Sequence, residues 1–277
     1  MTTTAWGRSI RAALYKNWRL SITYPTWLLQ RLLSPLVWVA IAVYAYTGVA
    51  DPARIAEAFA EAAGTTGFTG FLILGQTLFS FFLGMNWRGG MAIQRERWYG
   101  TLEIVMLAPT SRVAFILGES VYGLLDSGWT VLLAMVIAMF AFDARFTVAH
   151  PEAALLAVLL ALLAMVALGV FFSGFYLLTR SAGPLSSAVQ APIRFLAGVQ
   201  FPVSALPTQI QYASFAIPVT YGIAAVRRVF LAGGDIAAVS GELLALALST
   251  VVFFAIGAYL IGRMEKEAKR RGTLHVY

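Results

Sequence analysis

A chain of 277 residues that is 60% hydrophobic and only 12% charged is not an ordinary soluble domain, in which about a quarter of residues are charged. Its mean hydropathy of +0.77 marks an integral membrane protein with room for several spans of ~20 residues. The net charge of +7 does not point to nucleic acid, because the basic residues alternate with apolar runs as in a chain facing lipid headgroups. The lack of cysteine excludes disulfides and thiol chemistry.

Residues 1–26 lack the basic-then-apolar pattern of a cleaved leader. Wound as a helix, they put Trp6, Ile10, Ala13, Leu14 and Trp18 on one arc and Arg8, Arg11, Lys16 and Arg19 on the other. That pattern predicts a helix lying in the headgroup plane; the alternative is a plain basic tail that orients the first span. The first span is predicted over 27–47. Asp51-Pro52 then reads as a helix start. Ile55, Ala56, Phe59 and Ala63 would share one face and Gly64 would end the helix, forming an outer lid or a simple loop.

A second span is expected over 67–87, and then comes the charged segment 94–109, QRERWYGTLEIVMLAP. Charge this dense between two spans belongs in water. Gly100 permits a sharp turn. Thr101 can cap the helix that follows, with Glu103 in its first turn near the positive dipole end. Leu102, Val105 and Met106 would form an apolar knob, with Arg95, Glu96 and Arg97 as rim ion pairs. Such a rigid element is a suitable handle for a separate motor; otherwise it is a solvated loop.

The third span, 113–140, carries Glu119, Tyr122 and Asp126 at i, i+3 and i+7 on one face, with Asp126 near the midplane. Spans four and five are predicted over 153–178 and 185–201. In the fourth, Gly169, Ser173 and Gly174 suit close helix packing. In the fifth, Arg194 lies near mid-depth with Gln190 a turn away. Ionisable groups at this depth are costly. Glu119, Tyr122, Asp126, Gln190 and Arg194 therefore either line a substrate path or hold helices together, with an Asp126–Arg194 pair expected in the second case. Arg31, a turn into the first span, is expected to snorkel.

Beyond the fifth span, Pro202, Pro207 and Pro218 cut an apolar stretch into pieces of ~11 and ~14 residues, or ~16 and ~21 Å as helices, too short for a ~30 Å core. A re-entrant pair over 202–230 fits. One distorted span is the alternative, and it would place the C-terminus outside. The last span is predicted over 241–262, followed by a basic tail, 263–277.

Lys and Arg fix the expected orientation. One side holds Arg8, Arg11, Lys16, Arg19, Arg88, Arg95, Arg97, Arg112, Arg180, Arg263, Lys266, Lys269, Arg270 and Arg271. The other holds only Arg54, Arg145, Arg227 and Arg228. The richer side is cytoplasmic, so both termini are expected inside and the number of spans is even.

Two segments in this order resemble the membrane subunits of type-2 ABC exporters. The first runs from Arg95 through Gly100-Thr101-Leu102-Glu103 to Leu107 and Pro109. The second holds Phe201-Pro202, Leu206-Pro207, Pro218, Thr220-Tyr221 and Arg227. With six spans and cytoplasmic termini, the resemblance covers nearly the whole chain. Trp98-Tyr99 are bulkier than the family pattern. The resemblance implies an all-α membrane protein of six transmembrane helices with an N-terminal interfacial helix, a cytoplasmic coupling helix over 92–107 and outer re-entrant helices. It further implies permeases that export drugs, antibiotics or lipid-linked glycans from the cell membrane, working as two permeases with two ATP-binding subunits that hold Mg-ATP. This chain itself has no Gly-x-x-x-x-Gly-Lys-[Ser/Thr] phosphate loop, and its lysines, Lys16, Lys266 and Lys269, do not follow glycine. His150 and His275 stand alone, which argues against a metal cluster. A membrane-embedded lipid-modifying enzyme would need convergent carboxylates or histidines near the interface, where only Glu119 is suitably placed. A channel or secondary transporter is the remaining class, although the inverted repeats frequent in secondary transporters are not evident.

Overall fold

The computed structural model describes residues 3–23, 26–49, 51, 54, 57, 59–61, 67–108, 111–144, 146–177 and 182–271. Among these residues the regular structure is entirely helical, as lipid demands of a chain with no closed barrel. Helix α1 is Thr3–Thr23, α2 is Thr26–Val49 and α3 is Phe68–Met85, which continues into a π-helical turn, Asn86–Gly90. Two short helices follow, α4 (Ala92–Trp98) and α5 (Leu102–Leu107). Then come the long helices α6 (Arg112–Ala141) and α7 (Pro151–Tyr176), and the shorter α8 (Ala182–Leu196). A 3-10 turn at Val203–Ala205 leads to α9 (Thr208–Phe215), α10 (Pro218–Ala232) and α11 (Ser240–Arg271).

Among the described residues, four stretches are long and apolar enough to cross a membrane: Phe68–Gly90, Arg112–Ala141, Pro151–Tyr176 and Ser240–Met264. The bent pair α9 and α10 would raise the number to five. Two of the six expected spans come out shorter. The apolar part of α2 is Leu33–Gly48. Helix α8 has 15 residues, ~22 Å long, and stops short of the expected end at 201 because the chain turns at Gly198, whose φ is +71°. Helix α11 continues unbroken to Arg271, so much of the basic tail is helical. Of the expected outer helix, Arg54, Glu57, Phe59, Ala60 and Glu61 are helical. Phe59 packs edge-on to Tyr46 and Phe71, with centroids 5.7 and 5.1 Å apart. Pro52, Ile55, Ala56, Ala63 and Gly64 lie outside the described residues.

Helix α7 is the central post, packed against α11, α10 and α6. Ala153, Ala157, Ala161 and Ala164 are buried along it, and such small residues let helices approach closely in lipid. A Cβ on Gly174 would stand 2.9 Å from the Leu260 Cβ and 3.0 Å from the Gly257 carbonyl oxygen. One on Gly169 would stand 3.2 Å from the Met85 carbonyl oxygen, so both glycines serve packing as expected.

The proline-cut region has a definite construction. Helices α9 and α10 meet at 94°; α9 begins after Pro207, and Pro218 opens α10. A break of this kind leaves carbonyls without helical partners. The Thr220 hydroxyl donates to the Ser214 carbonyl (2.7 Å), and the Tyr221 hydroxyl to that of Phe215 (2.8 Å). The Gln211 amide donates to the Leu206 carbonyl at 2.8 Å. Phe201 packs against Phe195, 6.1 Å between centroids, and Pro202 leads into the 3-10 turn. The buried Arg227 then serves three more carbonyls: Phe71 through Nε and Nη2 (3.1 and 2.8 Å), Gly198 through Nη1 (2.6 Å) and Val199 through Nη2 (2.7 Å).

Arg227→Met strands those carbonyls and should cost on the order of 3 kcal/mol. We expect a clearly lower melting temperature in detergent and only partial rescue by Arg227→Lys, since an ammonium cannot fork to three carbonyls. Wild-type melting of Arg227→Met would show that the guanidinium is not the pin.

Candidate functional site

The charged segment and the carboxylates of the third span form one site. The π-helical turn brings Gly89 and Gly90 against α6 and α7; a Cβ on Gly90 would lie 3.1 Å from the Phe172 Cβ. Asn86 is held on both sides, donating to the Ser186 hydroxyl at 2.6 Å and accepting from the Tyr176 hydroxyl at 2.8 Å. Ser186 thereby ties α8 to the turn, and Gln190, one turn further along the same helix, donates to its hydroxyl at 3.2 Å. Helix α4 ends at Trp98, and Gly100 just beyond it, with a φ of +70°, is the sharp turn expected there.

Arg95 and Glu96 are buried, not rim residues. Burial pushes the Arg95 guanidinium below its ordinary value, and Glu119 pulls it back up. Arg97 is partly buried and donates to Gln94 Oε1 at 3.2 Å. Thr101 occupies the N-cap position of α5 without making a side-chain cap; its hydroxyl instead donates to Glu96 Oε2 at 2.6 Å. The expected knob is also rearranged. Leu102 is buried with Ile93, Phe115, Ile116 and Ile261, and Val105 packs on the same cluster. The exposed apolar residues are Ile104 and Leu107, 70% and 80% accessible. The side chains of Glu103 and Met106, and Pro109 as a whole, lie outside the described residues. Arg112 Nη1 closes the far end of α5 by donating to the Val105 carbonyl at 2.9 Å.

Glu119, Tyr122 and Asp126 share a face as expected, and each finds a partner on another element. Glu119 is fully buried. It pairs with Lys16 at 2.8 Å and with Arg95, and accepts from the Asn17 amide at 2.8 Å. Lys16 also reaches Glu96 at 2.6 Å. The Tyr122 hydroxyl lies 2.6 Å from Ser21 Oγ. Arg88 lies 4.9 Å from the Tyr122 ring centroid, pairs with Asp126 at 2.9 Å and donates to Asn17 Oδ1 at 3.0 Å. Three cations, Lys16, Arg88 and Arg95, thus meet three carboxylates, Glu96, Glu119 and Asp126, across α1, the π-helical turn, α4 and α6.

The expected Asp126–Arg194 pair does not form. Arg194 stacks between Trp38 and Phe79, 4.1 and 4.5 Å from their centroids, and donates to Gln76 Oε1 at 3.4 Å. It joins α2, α3 and α8, and Arg88 takes Asp126. Sequence reasoning passed over Lys16, Asn17 and Arg88 as members of this site. Asn17 carried a signal: at 100° per residue it falls within the apolar arc of Ile10, Ala13 and Leu14, where an amide needs a partner. Ala13 and Asn17 are the buried face of α1, pressed on α6 at Gly118, while Trp18 is 60% exposed. The side chain of Trp6, and that of Arg31 in α2, lie outside the described residues.

A family model described as ABC-2 type transporter matches residues 8–231. The chain belongs to this family. The match covers most of α1, the charged network and α10 as far as Leu231, and stops short of α11. No curated protein matches the chain significantly. As an ABC-2 permease it is a multi-pass membrane transport protein. Among the described residues, no cluster of His, Asp or Glu is arranged to hold a metal ion.

In this ABC-2 permease, Arg88→Gln and Asp126→Asn should each lower thermal stability, and the double mutant should recover at least ~1 kcal/mol relative to additivity. Asp126→Asn combined with Arg194→Gln should be additive. Coupling in the second cycle but not the first would overturn the assignment of partners.

Proposed function

We propose that this ABC-2 permease is the membrane half of an ATP-driven exporter, with a separate ATP-binding subunit docking on α4 and α5. The observation that carries the reading is the buried ion network. It leaves the candidate docking helix no independent motion: a push on α4 moves Arg95 and Glu96, and through Glu119 and Lys16 it loads α6 and α1 together. Ile104 and Leu107 supply an apolar contact of the kind that forms the buried centre of an interface. Hydrolysis of Mg-ATP belongs to the partner. The excess of Lys and Arg on one side supports cytoplasmic termini in a cell membrane, with α2 and α8 as the first and fifth of six spans.

A second permease copy fits the α2 and α8 surface. Gln30, Ser34 and Ser187 are exposed there, beside the partly exposed Arg194. Polar groups at membrane depth face protein or a wet cavity rather than lipid. Two permeases with two ATP-binding subunits would put Arg194 and Gln190 near a shared path. An amphipathic drug, lipid or glycan suits a path of mixed aromatic and polar character.

The isolated permease should hydrolyse no ATP, and Ile104→Asp with Leu107→Asp should weaken co-purification of the ATP-binding subunit at least tenfold while leaving the permease inserted. Undiminished binding with normal stimulation of hydrolysis would remove α5 from the interface. Orientation has its own test, aided by the cysteine-free background. Single cysteines at Thr208 and Ala232 should both react with an impermeant maleimide from outside. Labelling of the Ala232 position only from the cytoplasm would make α9 and α10 one bent span.

A further inference from the structure

A cavity of about 550 Å³ lies between α3, the α9–α10 pair and the start of α11, within the ~300–1,000 Å³ common for small-molecule sites. Its wall is largely apolar, with Phe71, Val203, Phe215, Ile223 and Leu231 among the lining residues. Three charged side chains line it: Arg227, Arg228 and Glu242. Arg228 and Glu242 pair with each other at 2.9 Å, and Arg228 is 50% exposed, so these two form a neutral rim. Arg227 is different. It is buried, and each of its hydrogen bonds ends on a neutral backbone carbonyl. Those four bonds use four of the five N–H donors of a guanidinium and leave one on Nη1 uncommitted. A buried cation is costly unless it is balanced, and the charge of this cavity is unbalanced by one.

The geometry points to a binding site for an anionic phospholipid in this cavity, the phosphate balancing Arg227 and an acyl chain lying along the apolar wall. Charge complementarity selects the head: a zwitterionic lipid would bring a second cation to a cavity already in excess by one. The site is independent of the coupling proposal, because it needs neither an ATP-binding subunit nor a particular membrane orientation.

The test uses the full-length permease alone in detergent, titrated with dioleoylphosphatidylglycerol, dioleoylphosphatidylcholine or oleate, with bound lipid counted by native mass spectrometry. We expect phosphatidylglycerol to bind at least tenfold more tightly than phosphatidylcholine and to raise the melting temperature, as a ligand of the folded state must. Ala224 lines the cavity, and Ala224→Phe should fill it and lower phosphatidylglycerol affinity at least tenfold. Ala232→Phe, from another part of the wall, serves if the first variant does not fold. Arg228→Gln with Glu242→Gln removes the neutral rim pair and should keep the preference within threefold, since Arg227 carries the charge. Equal binding of the two phospholipids would show that the carbonyls alone balance Arg227 and would overturn the proposal. Unchanged affinity in the filled variant would place the lipid elsewhere, and oleate binding as tightly as phosphatidylglycerol would overturn the assignment of a phosphate head.

Discussion

Carbonyls freed by a helix break inside a bilayer, and charges carried to the same depth, have no water to turn to, so most of their partners must come from the protein itself. Much of this chain is organised by that demand. At the proline-cut end, Arg227, Thr220, Tyr221 and Gln211 donate to carbonyls that the breaks would strand. At the charged end, Glu119 takes two cations and an amide. In both arrangements, removing one member leaves others buried and unpaired, which costs more than the contact itself was worth.

The two ends do so with different means, and the difference bears on what each can do. Backbone carbonyls are fixed by the chain, so the Arg227 fork locks α3 and α10 to the end of α8. The charged end is built of side chains, several of them long and able to exchange partners. Lys16 already touches two carboxylates, Glu96 and Glu119, and its side chain keeps 38% of its exposure. A network of this kind can hold two discrete arrangements with little change in the number of bonds, which a transmitting element needs.

Long uniform runs with charged ends were legible in the sequence. The third span, expected at 113–140, is the helix Arg112–Ala141, because lipid, not a particular neighbour, decides where such a helix begins and ends. The shared face of Glu119, Tyr122 and Asp126 was legible too, since helical periodicity is local. Their partners were not. Arg88 and Asp126 are 38 positions apart, and Lys16 and Glu96 are 80 apart; no spacing rule joins residues on different helices. The Asp126–Arg194 pairing failed for this reason: matching depth and opposite sign are necessary for a pair, but which helices adjoin is set by packing. Leu102 lies in a buried cluster and not on the expected knob, because a six-residue helix is too short for its apolar pattern to show which face is covered.

Helix α3 is where the two ends meet. Near its start, the Phe71 carbonyl accepts twice from Arg227. In its middle, Gln76 and Phe79 hold Arg194. Just beyond its end, the Trp87 and Arg88 carbonyls accept from Arg95, while the Arg88 side chain reaches Asp126. Three arginines from three other helices therefore grip one rod and its π-helical extension, and the rod is glycine where Arg227 approaches it: a Cβ on Gly75 would collide with the Arg227 guanidinium and the Val199 carbonyl. A rigid helix pinned at both ends does not bend to pass a signal; it tilts or shifts as a body. The π-helical turn, with its widened backbone and paired glycines, is the one place along Phe68–Gly90 where the regular i→i−4 ladder is already broken. Motion of α4 would therefore be taken up at that turn first, and only the remainder would reach the cavity beside Arg227.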